Sequence, residues 1–431
     1  MARPKRHKSR ARKSLAPLRE ALVRIERIGA RGDGEAMVEG RKIFVPFTAP
    51  GDEARISYRG ERGQVDALTV KSPHRAVPPC AYFGQCGGCA LQHVSEDFYA
   101  EWKRDLVVNA LHRAGFDSPI VGPLMACTDD GRRRAAFAVR KTAHGIVFGF
   151  NERGSDRIVD IERCLVLAPS LQAIMAGLRT LAQSTPNAWR SFDVLVTLCD
   201  NGVDVSINSG DASDAIFGNE LTRMIDAARS AGIIRIVIGG APLISFETPI
   251  VKFGNTPVAL SAGSFLQASQ AGEAALIKHV VENIGGAKRV ADLFSGCGTF
   301  TLPMAKNASV DAYDSDAPAI RALDAAARGG ALRHPVKAEL RNLFDRPLLV
   351  VELKSFDAVV FDPPRAGAQA QAAQLAQSDV PLIIGVSCNP VSFARDARIL
   401  ADGGYVLSQV SVIDQFAYSP HVELVGVFQK G

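Results

Sequence analysis

From about residue 262 to its end, the chain alternates short apolar segments with amphipathic ones. This alternation predicts a parallel β-sheet with helices on both faces, as in a Rossmann-like α/β domain. The expected strands cover residues 290–293, 310–313, 358–361, 382–386, 406–412 and 423–428. Helices fit between them, for example over 317–328 and 392–402.

The preceding residues are organised differently. Glycine-punctuated alternation over residues 18–75 predicts a small β-barrel. Residues 95–115 predict one amphipathic packing helix, and residues 120–260 are β-rich with a helix around 168–183. We therefore expect a basic, disordered tail (1–17), a barrel (18–75), a β-rich central domain (76–261) and the α/β domain (262–431), with the helix packed on the last.

Composition and charge narrow the class of protein. Hydrophobic residues make up 47% and charged residues 22%, which is ordinary for a globular protein. Residues 1–14 carry seven Arg or Lys and no acid, so the net charge of +5 leaves about −2 for the rest. Such a tail is either solvated or attracted to a phosphate backbone. The absence of a long apolar run or signal peptide predicts a cytoplasmic protein without a membrane partner.

A glycine motif follows the first strand of the α/β domain. Residues 292–300 read DLFSGCGTF, where two glycines let the backbone approach a ligand. The third glycine of a dinucleotide fold is missing, while Asp314 ends the next strand, where an acid can hold ribose hydroxyls. A nucleoside without pyrophosphate fits this pattern better, and S-adenosylmethionine is the commonest; an α/β fold with another ligand stays open.

Three further segments end or begin strands of the same domain. Asp362 opens an Asp-Pro-Pro-Arg turn, and Cys388 lies in Ser-Cys-Asn-Pro just before a helix. A helix N-terminus favours a thiolate, so we expect a lowered pKa and a nucleophilic role for Cys388, although a buried structural cysteine is the usual alternative. Glu423, in His-Val-Glu, is a candidate base beside it.

A separate set of four cysteines lies upstream. Cys80, Cys86 and Cys89 fall in one glycine-rich stretch, and Cys164 follows far downstream. In a reducing compartment such thiols favour metal binding over disulfides. The spacing leaves zinc and an iron–sulfur cluster equally open.

Together, the segments FLQ (265–267), DLFSGCGTF, DPPR, SCNP and DQF…HVE resemble the bacterial RNA uracil carbon-5 methyltransferases of the RumA/TrmA type, over nearly the whole chain after the tail. The resemblance implies a TRAM barrel over residues 18–75, a monomer, Cys388 as nucleophile and Glu423 as base. It also implies an S-adenosylmethionine and base pocket and a [4Fe-4S] cluster. The pocket residues would be Gln267, Phe294, Thr299, Asp314, Asn342 and Asp362, and the cluster ligands Cys80, Cys86, Cys89 and Cys164.

The chain departs from the family pattern at three places. Thr299 stands where Asn is frequent and Asp314 where Glu is frequent, and both keep hydrogen-bonding ability. Residues 416–420 replace a stretch resembling Phe-Pro-His-Thr, which alters the expected substrate pocket.

The resemblance favours 5-methyluridine formation in RNA, and barrel and cluster together favour 23S ribosomal RNA over tRNA. Two other classes compete: an RNA-binding or folding factor with a vestigial methyltransferase domain, and an iron–sulfur redox enzyme. The candidate nucleophile and base argue against the first, and the lack of a second recognisable redox centre argues against the other.

Overall fold

The computed structural model describes residues 17–127, 130–209, 216–330 and 332–431. The basic tail predicted over residues 1–17 therefore lies outside the described residues, except for Pro17. The described residues form two compact units. One contains residues 17–79 and 90–98, and the other contains residues 80–89 and those that follow residue 98.

The first unit is a small sheet of short strands that pair mostly antiparallel, in the order β1-β5-β6-β4-β3-β2. Its strands are β1 (Arg19–Arg24), β2 (Arg27–Ile28), β3 (Gly34–Val38), β4 (Arg41–Val45), β5 (Glu53–Arg59) and β6 (Arg62–Val70). Alternate residues such as Ile43, Val45 and Ile56 are fully buried in one core. The small barrel expected from the sequence is confirmed.

The second unit contains most of helix α1 (Glu96–Arg113), followed by strand β7 (Val121–Ala126). It also contains a central sheet in the order β10-β9-β8-β11-β12-β13-β14. The central elements are β8 (Arg134–Thr142), β9 (Gly145–Asn151), β10 (Ile158–Asp160), α2 (Pro169–Ala173), α3 (Met175–Ser184), β11 (Ser191–Cys199), β12 (Gly202–Ser209), α4 (Gly218–Ser230), β13 (Ile233–Ile238) and β14 (Ala241–Ser245). A hairpin of β15 (Ile250–Phe253) and β16 (Thr256–Ala259) follows. The helix expected around 168–183 is two helices, and α4 was not expected.

The C-terminal sheet has the order β19-β18-β17-β20-β21-β23-β22-β7. Its elements are α5 (Gln270–Ile284), β17 (Arg289–Leu293), α6 (Thr301–Met304), β18 (Ser309–Asp314), α7 (Ala317–Gly329), β19 (Val336–Leu340), α8 (Val350–Leu353), β20 (Ala358–Phe361), α9 (Gln369–Ala376), β21 (Leu382–Ser387), α10 (Pro390–Asp402), β22 (Tyr405–Asp414) and β23 (Glu423–Lys430). Helices cover both faces, as the two cores of this domain show. The predicted Rossmann-like α/β fold is confirmed.

The expectation of a wholly parallel sheet is wrong at one end. Strand β23 runs antiparallel to both β21 and β22. The connection from β22 to β23 covers only residues 415–422, which is too short for the crossover that parallel neighbours need. Strand β7, which the sequence did not assign to this sheet, adds parallel to β22 at the edge.

Candidate active site

Four polar residues lie at one edge of the sheet, where the parallel strands end. Asp314, Asp362 and Cys388 were predicted from the sequence, and Asp292 is their neighbour. Asp292 is the penultimate residue of β17, and Asp314 is the last residue of β18. Asp362 and Cys388 directly follow β20 and β21. Open α/β sheets bind ligands at this edge, so the fold places these residues where a ligand site is expected.

The glycine motif forms a loop that Asp314 holds in place. The Asp314 carboxylate accepts backbone N–H bonds from Gly296 at 2.9 Å and from Asp316 at 2.7 Å. Phe294 adopts a left-handed conformation (φ 63°), and a Cβ on Gly298 would lie 2.6 Å from Leu323. The loop therefore packs closely on α7, and Asp314 fixes its conformation.

Two buried polar atoms beside this loop have no hydrogen-bond partner among the described residues. They are the Asp292 Oδ1 and the Ser295 Oγ, whereas the other Asp292 oxygen accepts a bond from Thr301. Burial raises the pKa of Asp292 to about 7, and the charges of Asp362 and Asp314 add to the rise. Unsatisfied buried polar atoms are rare in proteins, so this pair is consistent with a polar ligand at the loop.

Asn342 lies beside the same strand ends. Its Oδ1 accepts the backbone N–H of Phe344 at 3.1 Å, and its Nδ2 donates to Asp345 at 2.5 Å. The Phe344 ring lies 5.4 Å from the Phe294 ring, centroid to centroid. The Phe344 ring thus packs near the Phe294 ring of the loop, next to Asn342, and brings aromatic surface to this edge of the sheet. Thr299 is half-buried in the same loop.

A chain of amide hydrogen bonds connects two carboxyl groups of the site. Gln415 Oε1 accepts the backbone N–H of Ala268 at 2.9 Å, so its amide nitrogen faces Gln267 Oε1, to which it donates at 2.7 Å. Gln267 Nε2 in turn lies 3.4 Å from Asp362 Oδ2. The Gln415 side chain also faces Glu423 and lowers the pKa of its carboxyl group. The sequence identified Gln267, Asp362 and Glu423 but gave Gln415 only as part of the DQF motif.

Cys388 and Glu423 are brought together by adjacent strands. Strands β21 and β23 pair with Ser387 opposite Leu424, so their neighbours Cys388 and Glu423 meet at the same end. Glu423 is 4% exposed and Cys388 is half-buried. Burial raises the pKa of Glu423 to about 8, with Asp362 adding to the rise and Gln415 opposing it. Desolvation also raises the pKa of Asp362 to about 7.

The expected lowering of the Cys388 pKa is wrong. Burial raises the pKa of this thiol to about 11, and the Glu423 and Asp362 carboxylates add to the rise. The helix N-terminus offers little compensation, because Pro390 has no N–H and the Asn389 side chain already accepts the N–H of Val391. Any thiolate at this site must therefore be stabilised by what binds there.

Arg365 is the cation of the site that the sequence analysis did not single out. It is exposed, and its charge partly opposes the rise in pKa that burial and nearby carboxylates cause at Cys388 and Glu423. Its carbonyl accepts bonds from Asn389 at 2.8 Å and Ser392 at 3.0 Å, which join the Asp-Pro-Pro-Arg turn to the start of α10. Its position in the DPPR motif is the sequence feature by which Arg365 could have been identified.

Among the four upstream cysteines, Cys80 and Cys86 lie near Cys164. Burial raises the pKa of Cys164, and the Cys86 and Cys80 thiols add to the rise, so these three lie within electrostatic range. Backbone N–H groups face two of the sulfurs, with Gly88 N donating to Cys86 Sγ at 3.4 Å. Thiols with such donors suit a cluster chemically. Within the described ranges, however, no three Cys, His, Asp or Glu side chains are arranged to hold a metal.

Comparison with known proteins identifies the class. A sequence model described as tRNA (uracil-5-)-methyltransferase matches residues 338–430, and one for the TRAM domain of tRNA (uracil(54)-C(5))-methyltransferase matches residues 22–64. An uncharacterized RNA methyltransferase of Agrobacterium fabrum is 41% identical over 95% of this chain and 99% of its own length. The chain is therefore an RNA methyltransferase.

Two further matches define the family and the fold. The 23S rRNA (uracil(1939)-C(5))-methyltransferase RlmD of Chromohalobacter salexigens is 32% identical over 93% of this chain and 87% of its own. The tRNA (uracil-54, C5)-methyltransferase of Pyrococcus abyssi shares the fold, with a TM-score of 0.72 at 24% identity over 95% of this chain and 100% of its own. The protein belongs to the RNA (uracil-5-)-methyltransferase family. No helix in the described part of the chain is long and apolar enough to cross a membrane.

Proposed function

We propose that the chain methylates carbon 5 of a uridine in RNA, with S-adenosylmethionine as methyl donor and Cys388 as covalent nucleophile. The observation that carries the proposal is the pairing of Cys388 with Glu423 across β21 and β23 at the ligand edge of the sheet. Amino-group methylation needs no thiol, so this pair favours carbon-5 chemistry.

The nucleophile is needed because carbon 5 of uracil is a poor nucleophile. The Cys388 thiol gives its proton to solvent water, and its sulfur forms a bond to carbon 6 while the C5=C6 electrons move towards O4. The resulting enolate is nucleophilic at carbon 5, and S-adenosylmethionine supplies the methyl group that this carbon takes up. The base must leave its stack to reach Cys388, which costs roughly a few kcal/mol.

The product is released by elimination. The Glu423 carboxylate takes the proton from carbon 5, the C–H electron pair restores the C5=C6 double bond, and the C6–S bond breaks to return the thiolate. Because its pKa is raised to about 8, the Glu423 carboxylate is a stronger base than an ordinary glutamate carboxylate. Asp362 faces the same thiol and raises its pKa, so it belongs to the same pocket.

The proposed cofactor pocket comprises Gln267, Phe294, Thr299, Asp314, Asn342 and Asp362. Its support is their placement along one sheet edge, together with the unsatisfied atoms of Asp292 and Ser295 beside the glycine loop. These two residues are additions to the set identified from the sequence. The proposal extends to a [4Fe-4S] cluster on Cys80, Cys86, Cys89 and Cys164, to a monomer and to a cytoplasmic location. No step of the reaction depends on the cluster.

We propose 23S ribosomal RNA as the substrate, supported by the Chromohalobacter salexigens relative. A tRNA substrate is the second candidate, since the matching sequence models carry tRNA descriptions.

The test is tritium release from RNA labelled at uracil carbon 5, using undermethylated 23S rRNA and tRNA, with and without S-adenosylmethionine. Release from 23S rRNA that requires S-adenosylmethionine and disappears in Cys388→Ala is expected. Release from tRNA alone would keep the chemistry and change the substrate. If neither RNA releases tritium although the protein still binds RNA, the non-catalytic RNA-binding factor would be favoured.

A further inference from the structure

A buried lysine joins helix α1 to the loop between β22 and β23. Lys103 Nζ donates to Asp414 Oδ1 at 2.6 Å, to the Phe416 carbonyl at 3.2 Å and to the His421 carbonyl at 2.6 Å. An ammonium group has three N–H donors, so all of them are used on this one loop. The Lys103 and Asp414 side chains are 0% and 2% exposed.

A tyrosine one turn earlier on α1 makes a second attachment. The Tyr99 hydroxyl donates to Asp414 Oδ2 at 2.7 Å and accepts the backbone N–H of Tyr418 at 2.9 Å. Tyr418 has a left-handed backbone (φ 59°), a strained conformation for a bulky residue. The start, middle and end of the loop are thus all fixed to α1 through Asp414, Tyr418 and His421.

The loop and the first residue of the strand that follows it supply the side chains of the proposed elimination step. Gln415 directly follows Asp414 and its side chain faces the Glu423 carboxyl, and Glu423 lies two residues after His421. Moving either end of the loop would therefore displace the base or the amide that orients it. Cys388 directly follows another strand, β21, and none of the described contacts of Lys103 involves it.

We propose that the Lys103–Asp414 pair is a positioning device for the base Glu423, acting in release of the methylated adduct rather than in its formation. The inference rests on the proposed function. A buried pair of this kind contributes little net stability over an apolar pair, so a positional role accounts for its presence better than a stabilising one.

Two RNAs separate the two halves of the reaction. With ordinary undermethylated 23S rRNA and S-adenosylmethionine, the covalent adduct must be released by removal of the carbon-5 proton. With 5-fluorouridine-substituted RNA, fluorine replaces that proton, so adduct yield on a denaturing gel measures formation alone. Tritium release from labelled rRNA gives the turnover rate.

For Lys103→Met we expect slower turnover, by about 10- to 100-fold, since a misplacement of about 1 Å can cost 100-fold. The adduct on ordinary RNA should accumulate, as in Glu423→Gln, while adduct formation on 5-fluorouridine RNA stays close to wild type. Lys103→Arg should restore part of the turnover, and Tyr99→Phe, a milder change, should show the same pattern more weakly.

Lys430→Met is the matched control, because Lys430 Nζ also donates to two carbonyls, of Ser378 and Gly403, at the far end of β23. It should leave adduct partitioning unchanged. A proportional loss of formation and turnover in both Lys103→Met and Tyr99→Phe would show a merely structural role. Wild-type release kinetics in both variants would also overturn the inference, with the proposed function intact. No adduct with the wild-type protein on either RNA would overturn the proposed function as well.

Discussion

At the scale of single residues, the site is dominated by carboxyl groups that face a thiol. Burial and then Glu423 and Asp362 raise the pKa of Cys388 to about 11. Replacing Glu423 by Gln removes one charge that disfavours the thiolate, so the thiol pKa should fall by about 1 unit. The measurement is the pH dependence of Cys388 alkylation by iodoacetamide, followed by mass spectrometry of its peptide.

The matched control for that experiment is Glu352→Gln, because Glu352 is a carboxylate paired with Arg341 and does not contribute to the Cys388 pKa. It should leave the alkylation profile unchanged. An unchanged profile in Glu423→Gln would mean that the carboxylate does not face the thiol.

The residue scale also shows where sequence reasoning reaches its limit. The motifs identified Cys388 and Glu423 as candidates because each lies in a distinctive segment at a strand end. The Cys388 pKa was mispredicted because the dipole argument ignored the burial of the thiol and the two carboxylates that only the folded sheet brings near. Lys103 could not be identified either, because its acceptor Asp414 is distant in sequence and a helical lysine is normally solvated.

At the scale of elements, strand β17 places the fully buried carboxyl group of Asp292 beside the glycine loop. Burial raises the pKa of Asp292 from its ordinary value of 3.8 to about 7, so between these values the folded protein holds a proton that the unfolded chain releases. Its stabilising contribution is therefore complete below pH 4 and is lost as the pH rises through 7.

Replacing Asp292 by Asn removes this titration. Relative to wild type, the variant should gain stability as the pH rises from 5 to 7, by roughly 2 kcal/mol. Urea unfolding of both proteins at the two pH values, without S-adenosylmethionine, measures the difference. Asp324, which is half-buried and paired with Arg328 on α7, provides the control Asp324→Asn, which should show no such trend. A constant difference between wild type and Asp292→Asn would mean that Asp292 stays ionised.

The sequence predicted the first and last residues of a strand correctly where every residue of the segment is apolar. The strand expected over 358–361 is found at Ala358–Phe361, because every residue of β20 is buried. Strand β7 was missed because its residues are only partly buried and its partner β22 lies almost 300 residues away in sequence. Helix α1 was found, but its buried face includes Lys103, which the apolar pattern alone excludes.

At the scale of the whole molecule, residues 80–89 and Cys164, which are distant in sequence, belong to the same compact unit. The Cys80 and Cys86 thiols are in electrostatic range of Cys164, yet the described residues hold no assembled ligand set. Binding a [4Fe-4S] cluster would therefore have to draw the sulfurs together, and the binding free energy would add to the stability of the fold.

Protein purified without oxygen should accordingly contain about four iron and about four sulfide per chain and melt at a higher temperature than after chelation. Cys164→Ser should lose the iron and the stabilisation together. Cys199→Ser is the control, because Cys199 is buried at the end of β11, outside the proposed ligand set, and its replacement should leave the iron content unchanged. Zinc in place of iron, or iron retained in Cys164→Ser, would contradict the proposed cluster and its ligands, and the methyltransferase proposal would stand without it, since no step of that chemistry passes through these cysteines.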